Sequence, residues 1–247
     1  MTDKSPADPT PPAVESGFPA NLESGYRAFL SGRFPAEQRR FRELAEGGQN
    51  PKVMLVGCCD SRVSPEVIFD ARPGEIFVVR NIAALVPPFV PNDDYHGTSA
   101  ALEFGIMALR VEHIVVMGHA QCGGIKAYVD NELDPYTRPL SPGDFIGKWV
   151  RLIAPAYEAA GAPPAGAEPG QLDGFLEKLG LESIKRSLAN LRTFPGVKTL
   201  EERGLLHLHG AYFGVMDGRL LAYDEGQDRF VPVAAAEHAA ALAEPRF

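Results

Sequence analysis

The chain has 247 residues, and its 24 Lys and Arg against 32 Asp and Glu give a formal net charge of −8. This length suits one large domain or two small ones. The acidic balance argues against a nucleic-acid partner, because nucleic-acid binding relies on clustered Lys and Arg. No apolar run approaches the roughly 18 residues that a membrane span needs, so no membrane partner is expected.

The N-terminus and the cysteines indicate the compartment. The opening residues, MTDKSPADPTPPAVESG, contain no apolar core and so do not resemble a secretory signal. Three cysteines are too few for a disulfide framework. We therefore expect a cytoplasmic protein, in which a cysteine near a histidine indicates metal binding or catalysis.

The first elements are a loose segment and a pair of helices. The proline-rich composition of residues 1–18 predicts disorder. From Pro19 onward, apolar residues at helical spacing predict two helices that are broken near Gly32–Pro35. We expect these helices to form an N-terminal arm, and residues 19–247 to form a single domain.

Strands and helices then alternate along the chain. Short apolar runs predict buried strands at 52–57, 76–80, 113–118 and 205–213, with a fifth expected at 219–223. Helical patterns lie at 98–110 (capped by Thr98 or Ser99), from 125, at 171–191 and at the Ala-rich 233–242. The alternation predicts an α/β fold, with a mostly parallel central β-sheet of about four to five strands flanked by helices.

Side chains that ligate metals follow two of these strands. Cys58 comes directly after the first strand, and His119 and Cys122 follow the third. Ligands of parallel sheets bind beyond the carboxyl ends of the strands, so these side chains should meet at one edge. Zinc accepts thiolate and imidazole, and three protein ligands with an open fourth position are the catalytic arrangement. A lone Cys or His is more commonly a core residue, but two such segments together favour a metal site.

The motifs CxDSR, beginning at Cys58, and HxxC, beginning at His119, resemble those of the β-class carbonic anhydrases. The segments 73–89 and 118–126 are similar to the plant-type branch of that family. The resemblance implies one Zn²⁺ per chain, held by Cys58, His119 and Cys122. It also implies reversible hydration of carbon dioxide to bicarbonate and a proton by metal-bound hydroxide.

The resemblance assigns further roles to individual residues. Asp60 and Arg62 would form the catalytic pair, in which Asp60 accepts a hydrogen bond from the zinc-bound water and Arg62 holds Asp60. The implied substrate-binding residues are Gln49, reaching in from a neighbouring chain, Gly123, through its backbone N–H, and Phe77 and Ile82, which line an apolar pocket. If Gln49 acts across an interface, the chain associates with itself as a dimer or tetramer.

Two positions depart from the family pattern. Phe104 stands where plant-type members carry a tyrosine, which removes a hydroxyl near the substrate pocket. Leu55 stands where another branch carries a tryptophan linked to regulation by bicarbonate, so that form of regulation is not expected. Two thiolate ligands offset the charge of zinc and acidify water less strongly than neutral ligands, which predicts an alkaline pH optimum.

Three alternative functions share part of this evidence. A hydrolase of carbon disulfide or carbonyl sulfide would use the same fold and metal. A non-catalytic zinc or bicarbonate-binding protein is disfavoured, since it has little need of Asp60 and Arg62. A cysteine phosphatase is excluded, because the sixth residues after Cys58 and Cys59 are serine and proline rather than arginine.

The remaining cysteine and several histidines receive structural interpretations. Cys59 is expected to pack as a small hydrophobic residue. His207 and His209 alternate with leucines on a predicted strand and share one face, and a structural role is favoured over a second metal site because more ligands would be needed. His113 is interpreted as a surface residue.

Overall fold

A computed structural model describes residues 17–134, 136, 138–164, 166 and 169–233. The segment predicted to be disordered lies outside these residues except for its last two positions. The predicted C-terminal helix lies outside them except for Val233, which is not helical. Within the described parts of the chain, no helix combines the length and the apolar composition that crossing a membrane requires.

Nine α-helices and six β-strands are formed by the described residues. The helices are α1 (Ala20–Ser31), α2 (Arg33–Gly47), α3 (Pro65–Ile68), α4 (Gly97–Glu103), α5 (Gly123–Leu133), α6 (Phe145–Val150), α7 (Ala154–Ala160), α8 (Pro169–Leu191) and α9 (Pro195–Glu202). The strands are β1 (Val53–Cys58), β2 (Ile76–Asn81), β3 (His113–His119), β4 (His207–Phe213), β5 (Leu220–Asp224) and β6 (Arg229–Pro232).

The two N-terminal helices form a compact unit that ends at Gly48. The predicted break is confirmed, since α1 ends and α2 begins on either side of Gly32. The rings of Phe29, Phe34 and Phe41 lie 5.5 to 6.0 Å apart, centre to centre. This aromatic cluster holds the two helices together, because aromatic pairs at this separation pack favourably.

The second unit contains one sheet, in the strand order β2-β1-β3-β4-β5-β6. The first four strands are parallel, whereas β5 and β6 are antiparallel additions at one edge. A mostly parallel α/β sheet is therefore confirmed. The sixth strand exceeds the predicted number, because its residues 229–232 include only two partly buried apolar side chains and a terminal proline. So short a run is below what a strand pattern detects.

The core lies on both faces of this sheet. On one face, Met54 and Ile114 belong to a buried cluster with Leu188 of α8 and Val197 of α9. A smaller cluster centred on Leu55 occupies the other face. Such packing fixes the parallel strands in register and brings their carboxyl ends to one edge of the sheet.

The helix predicted at 98–110 begins at Gly97 and continues beyond α4 as a π-helix over Phe104–Leu109. The predicted cap is wrong, because the helix is preceded by His96 and has no side-chain cap bond. The Thr98 hydroxyl instead accepts a hydrogen bond from Asn81 Nδ2 at 3.2 Å, at the end of β2. This bond ties the helix start to the edge where the strands end.

Candidate metal centre

The three predicted metal ligands meet at the carboxyl ends of β1 and β3. Cys58 ends β1, His119 ends β3, and Cys122 directly precedes α5. The sulfur atoms of the two cysteines are 3.9 Å apart, and all three donor atoms lie within 4.8 Å of one another. All three residues are buried. The parallel pairing of β1 with β3 therefore brings together ligands that are far apart in the sequence.

The orientation of His119 leaves one ring nitrogen free for a metal. Its Nδ1 lies 2.8 Å from the carbonyl oxygen of Ala120, which identifies Nδ1 as the N–H donor. Its Nε2 is buried and has no hydrogen-bond partner among the described residues. A buried polar atom without a partner is costly, and a hydrogen bond from the other ring nitrogen to a carbonyl oxygen is typical of a histidine that ligates a metal. The residues therefore fit a zinc ion.

The pKa values of the two buried cysteines are shifted in opposite directions. The hydrogen bond from the Cys122 thiol, assisted by His119, lowers the pKa of Cys58. That same hydrogen bond, together with burial, raises the pKa of Cys122. One proton is therefore retained between the two sulfurs at neutral pH. Zinc requires both sulfurs as thiolates, so its binding is coupled to release of this proton.

Asp60 and Arg62 lie beside these ligands as a two-pronged ion pair. Arg62 donates from Nε to Asp60 Oδ1 at 2.9 Å and from Nη2 to Oδ2 at 2.7 Å. These bonds hold the pKa of Asp60 well below its usual range, so the carboxyl group is ionised. Oδ2 of Asp60 is 3.9 Å from Nε2 of His119. The structure thus places a fixed hydrogen-bond acceptor beside the free ring nitrogen of His119.

A second arginine holds the turn that carries Cys58 and Asp60. Arg80, on β2, donates from Nε to the carbonyl oxygen of Cys58 at 2.8 Å and from Nη2 to that of Asp60 at 2.6 Å. Arg80 is not among the predicted site residues. A charged residue near the end of an otherwise apolar strand was the available signal, because burying such a charge requires partners.

The turn after β2 is held in an unusual conformation. Ala83 has a φ of +64°, a left-handed value that few residues with a side chain adopt. Trp149 Nε1 donates to the carbonyl oxygen of Ile82 at 2.8 Å. A Cβ atom on Gly124 would lie 2.6 Å from Cγ2 of Ile82, so only glycine lets α5 pack against this turn. These contacts fix the position of Ile82 near the metal ligands.

The predicted substrate-binding residues are placed differently from one another. Gly123 is the first residue of α5, and open space faces the position where its Cβ would be. Ile82 is 38% exposed. Phe77 is half-buried and packs on the ring of Phe104, at 5.9 Å between ring centres. Gln49 is exposed and precedes β1, at the opposite end of the strand from Cys58.

Cys59 corrects one expectation. It is exposed, not packed as a small hydrophobic residue. Successive side chains point to opposite faces of an extended chain, so the residue after the inward-facing Cys58 points away from the buried ligands.

Comparisons with known proteins agree with this geometry. The sequence model of the carbonic anhydrase family matches residues 53–220. A carbonic anhydrase from Pseudomonas aeruginosa is 33% identical over 214 residues, which cover 87% of this chain and 91% of that protein. The solved structure of the β-carbonic anhydrase CcaA has a TM-score of 0.76 and 29% identity, covering 87% of this chain and 92% of that chain.

A second solved structure comes from one of two tetrameric β-carbonic anhydrases of the filamentous ascomycete Sordaria macrospora. Its TM-score is 0.66 at 25% identity, with 87% of this chain and 95% of that chain covered. The family match spans both segments that carry the buried thiols and the imidazole. The chain therefore belongs to the carbonic anhydrase family, in its β class, and is a zinc enzyme that catalyses the hydration of carbon dioxide.

Proposed function

We propose that the chain converts carbon dioxide and water to bicarbonate and a proton, with Asp60 and Arg62 as its catalytic pair. One observation carries this assignment: the ionised carboxylate of Asp60 lies 3.9 Å from the unpartnered Nε2 of the buried His119. Zinc supplies hydroxide at a pH where free water does not. Cys58, His119 and Cys122 would hold it.

Asp60 acts as an acceptor that sets the direction of the nucleophile. A carboxylate has lone pairs but no proton, so it takes a hydrogen bond from the attacking group and turns a lone pair of that group toward the substrate. Arg62 keeps both carboxylate oxygens in place. Because the pKa of Asp60 is held low, Asp60 stays in this form throughout the neutral and alkaline range.

The proposed substrate site has one polar side and one apolar side. The backbone N–H of Gly123 lies in the first turn of α5, where no partner within the helix exists, and it is available to a bicarbonate oxygen. Ile82 and Phe77 supply apolar surface suited to carbon dioxide. The two thiolates of Cys58 and Cys122 offset the charge that acidifies water, and this predicts a rate that rises from neutral to alkaline pH.

Gln49 serves the site of a second copy of the chain. The five residue steps along β1 between Val53 and Cys58 span about 17 Å, so Gln49 lies far from the metal ligands of its own chain. The tetrameric relative from Sordaria macrospora supports self-association. We expect the chain to associate as a dimer or tetramer, with the dimer as the smallest active unit.

A mixing experiment tests the role of Gln49. The Gln49→Ala and Cys122→Ala variants should each hydrate carbon dioxide poorly. Exchange of their subunits should restore activity, because the mixed dimer contains one site with intact metal ligands and an intact Gln49 from its partner. A mixture no more active than its components would contradict the role across the interface.

We propose that the enzyme acts in the cytoplasm. The sequence predicts a cytoplasmic protein, a single domain over residues 19–247, and small-molecule rather than nucleic-acid or membrane partners. The acidic net charge of −8 supports partners other than nucleic acid.

Stopped-flow hydration of carbon dioxide with a pH indicator tests the assignment on protein of assayed zinc content. We expect one zinc per chain and rapid proton release that is faster at pH 9 than at pH 7. Slow hydration combined with hydrolysis of carbon disulfide would favour the hydrolase. Neither reaction in zinc-replete protein would favour a binding protein.

A further inference from the structure

Three histidines meet at the end of the sheet opposite the zinc ligands. His113 begins β3, His207 begins β4, and His209 follows two residues later. The strands pair in parallel with His113 opposite His207 and Val115 opposite His209. Residues two apart on a strand share a face, and so do directly paired residues, so all three imidazoles project from the same side.

The three rings are in mutual contact through His113. Its ring centre lies 5.3 Å from that of His207, at an interplanar angle of 29°, and 5.2 Å from that of His209. Nδ1 of His113 and Nε2 of His209 are 3.1 Å apart. The stacked ring of His207 limits how far His113 can turn away from His209.

This separation suits two ligands of one ion. Two imidazole nitrogens bound tetrahedrally at roughly 2.0–2.1 Å from zinc lie about 3.3 Å apart. The nitrogens are therefore at nearly the separation that a chelate needs, and rotation of the two rings, so that both lone pairs point at one ion, would replace the hydrogen bond. Cys58, His119 and Cys122 remain the one described group of three whose donor atoms lie within 4.8 Å of one another. The histidine site is accordingly a two-imidazole site completed by water, with His207 as a support.

The surroundings favour neutral imidazoles and select the class of metal. Burial, with the neighbouring His113 and His207, lowers the pKa of His209. The nearby carboxylate of Glu112 is already paired with Lys52 at 2.6 Å. Nitrogen ligands without a free carboxylate suit zinc, copper and nickel, and do not suit magnesium or calcium.

The site is separate from the catalytic centre. His113 and His119 are the first and last residues of β3. Six steps along a strand span about 20 Å. An ion at His113 therefore does not share ligands with the zinc centre.

We propose that His113 and His209 form a second metal site, which takes one divalent ion of the zinc, nickel or copper class and ties β3 to β4. The site lies beyond the hydration reaction and contributes no atom to it. Bound metal stabilises the folded chain, because the unfolded chain does not hold the two rings together.

Titration calorimetry of the zinc-loaded enzyme with Ni²⁺ at pH 8 tests the site. We expect one Ni²⁺ per chain in the wild type and a raised thermal unfolding midpoint. His209→Ala and His113→Gln should each lose both effects while keeping their carbon dioxide hydration, which also reports that they are folded. His96→Ala, which removes a histidine outside the cluster, should bind as the wild type does.

Two results would overturn the proposal. One is Ni²⁺ binding of equal affinity in the wild type and in both cluster variants. The other is release of an equivalent of zinc during the titration, which would place the nickel at the catalytic ligands.

Discussion

Two aspartates, Asp60 and Asp217, each precede an arginine by two residues and form nearly the same ion pair with it. Arg62 donates from its backbone N–H to Asp60 at 3.0 Å and from Nε at 2.9 Å. Arg219 also donates to Asp217 from its backbone N–H, at 3.1 Å, and from Nε, at 2.6 Å, although here Nε bonds to the second carboxylate oxygen, Oδ2. In both cases these bonds lower the pKa of the carboxyl group. The spacing of the two residues is sufficient to produce this local geometry.

Their neighbours distinguish the two pairs. The side chain of Asp60 is 17% exposed and lies next to His119, whereas that of Asp217 is 46% exposed in the turn between β4 and β5. A carboxylate becomes a catalytic group only where it faces a reacting atom. The comparison shows that an aspartate and an arginine two residues apart form the ion pair by themselves. The end of the sheet adds the metal ligands that give the Asp60 carboxylate a catalytic role.

The largest effect on activity should follow removal of a metal ligand beside Asp60. Cys122→Ala removes one of three metal ligands and should reduce both zinc content and carbon dioxide hydration to background, leaving Asp60 no different in function from Asp217. Cys59→Ala is the matched control, because this adjacent cysteine is exposed. Metal analysis and stopped-flow rates measure both. Full zinc content in Cys122→Ala would contradict the ligand assignment.

The next largest effect should distinguish the two carboxylates directly. Asp60→Asn should retain zinc and lose roughly 10²-fold in kcat, the usual scale for one positioned catalytic group. Asp217→Asn breaks an equivalent ion pair and should hydrate carbon dioxide at the wild-type rate. Equal rates in the two variants would remove the distinction between the pairs.

A smaller effect is expected from loss of Arg80, which supports the turn that carries Asp60. Arg80→Gln breaks the bonds to the carbonyl oxygens of Cys58 and Asp60. Loss of such supporting bonds typically costs 10–100-fold in metal affinity or activity, and we expect about tenfold. Arg80→Lys should recover part of the lost metal affinity or activity.

Arg192→Gln is the control for general loss of stability. Arg192 bridges Glu201 and Glu225, away from the zinc ligands. The Arg192→Gln substitution should lower the free energy of unfolding by about 1 kcal/mol without changing kcat. A loss of kcat in Arg192→Gln as large as that in Arg80→Gln would assign both effects to stability.

The smallest effect should appear in acid. A lowered pKa means that the ion pair of Asp217 stabilises the folded chain above the unfolded pKa of about 3.9 and loses this contribution as the pH falls toward the folded value. Urea unfolding should therefore show Asp217→Asn slightly less stable than wild type at pH 7, with the difference shrinking toward pH 3. A difference independent of pH would contradict the ion pair.

Features encoded by nearby residues were predictable from the sequence. The apolar runs located the first five strands, and the motif spacing around Cys58 and His119 located the metal ligands. These signals work because side-chain alternation and burial are local properties of a strand. The resemblance to β-class carbonic anhydrases then supplied the zinc enzyme that the comparisons confirm.

Features that depend on which strands pair were not predictable. The contact of His113 with His209 requires the register of β3 against β4, which neither segment reveals alone. The same holds for Arg80, whose partners are backbone oxygens on the neighbouring strand β1 and the turn after it. Thr98 did not cap its helix, because Asn81 engages its hydroxyl across the fold.

The separation of the two buried cysteines along the chain has a consequence for folding. Cys58 and Cys122 are 64 positions apart, yet their sulfur atoms are 3.9 Å apart. Bringing together two residues this far apart in the chain costs about 4 kcal/mol of chain entropy, on the loop-closure relation used for disulfides. Bound metal offsets this cost by joining β1 to the residues after β3 in the folded chain, so its binding free energy adds to the stability of the sheet. Depletion by a chelator should speed unfolding as well as stop turnover.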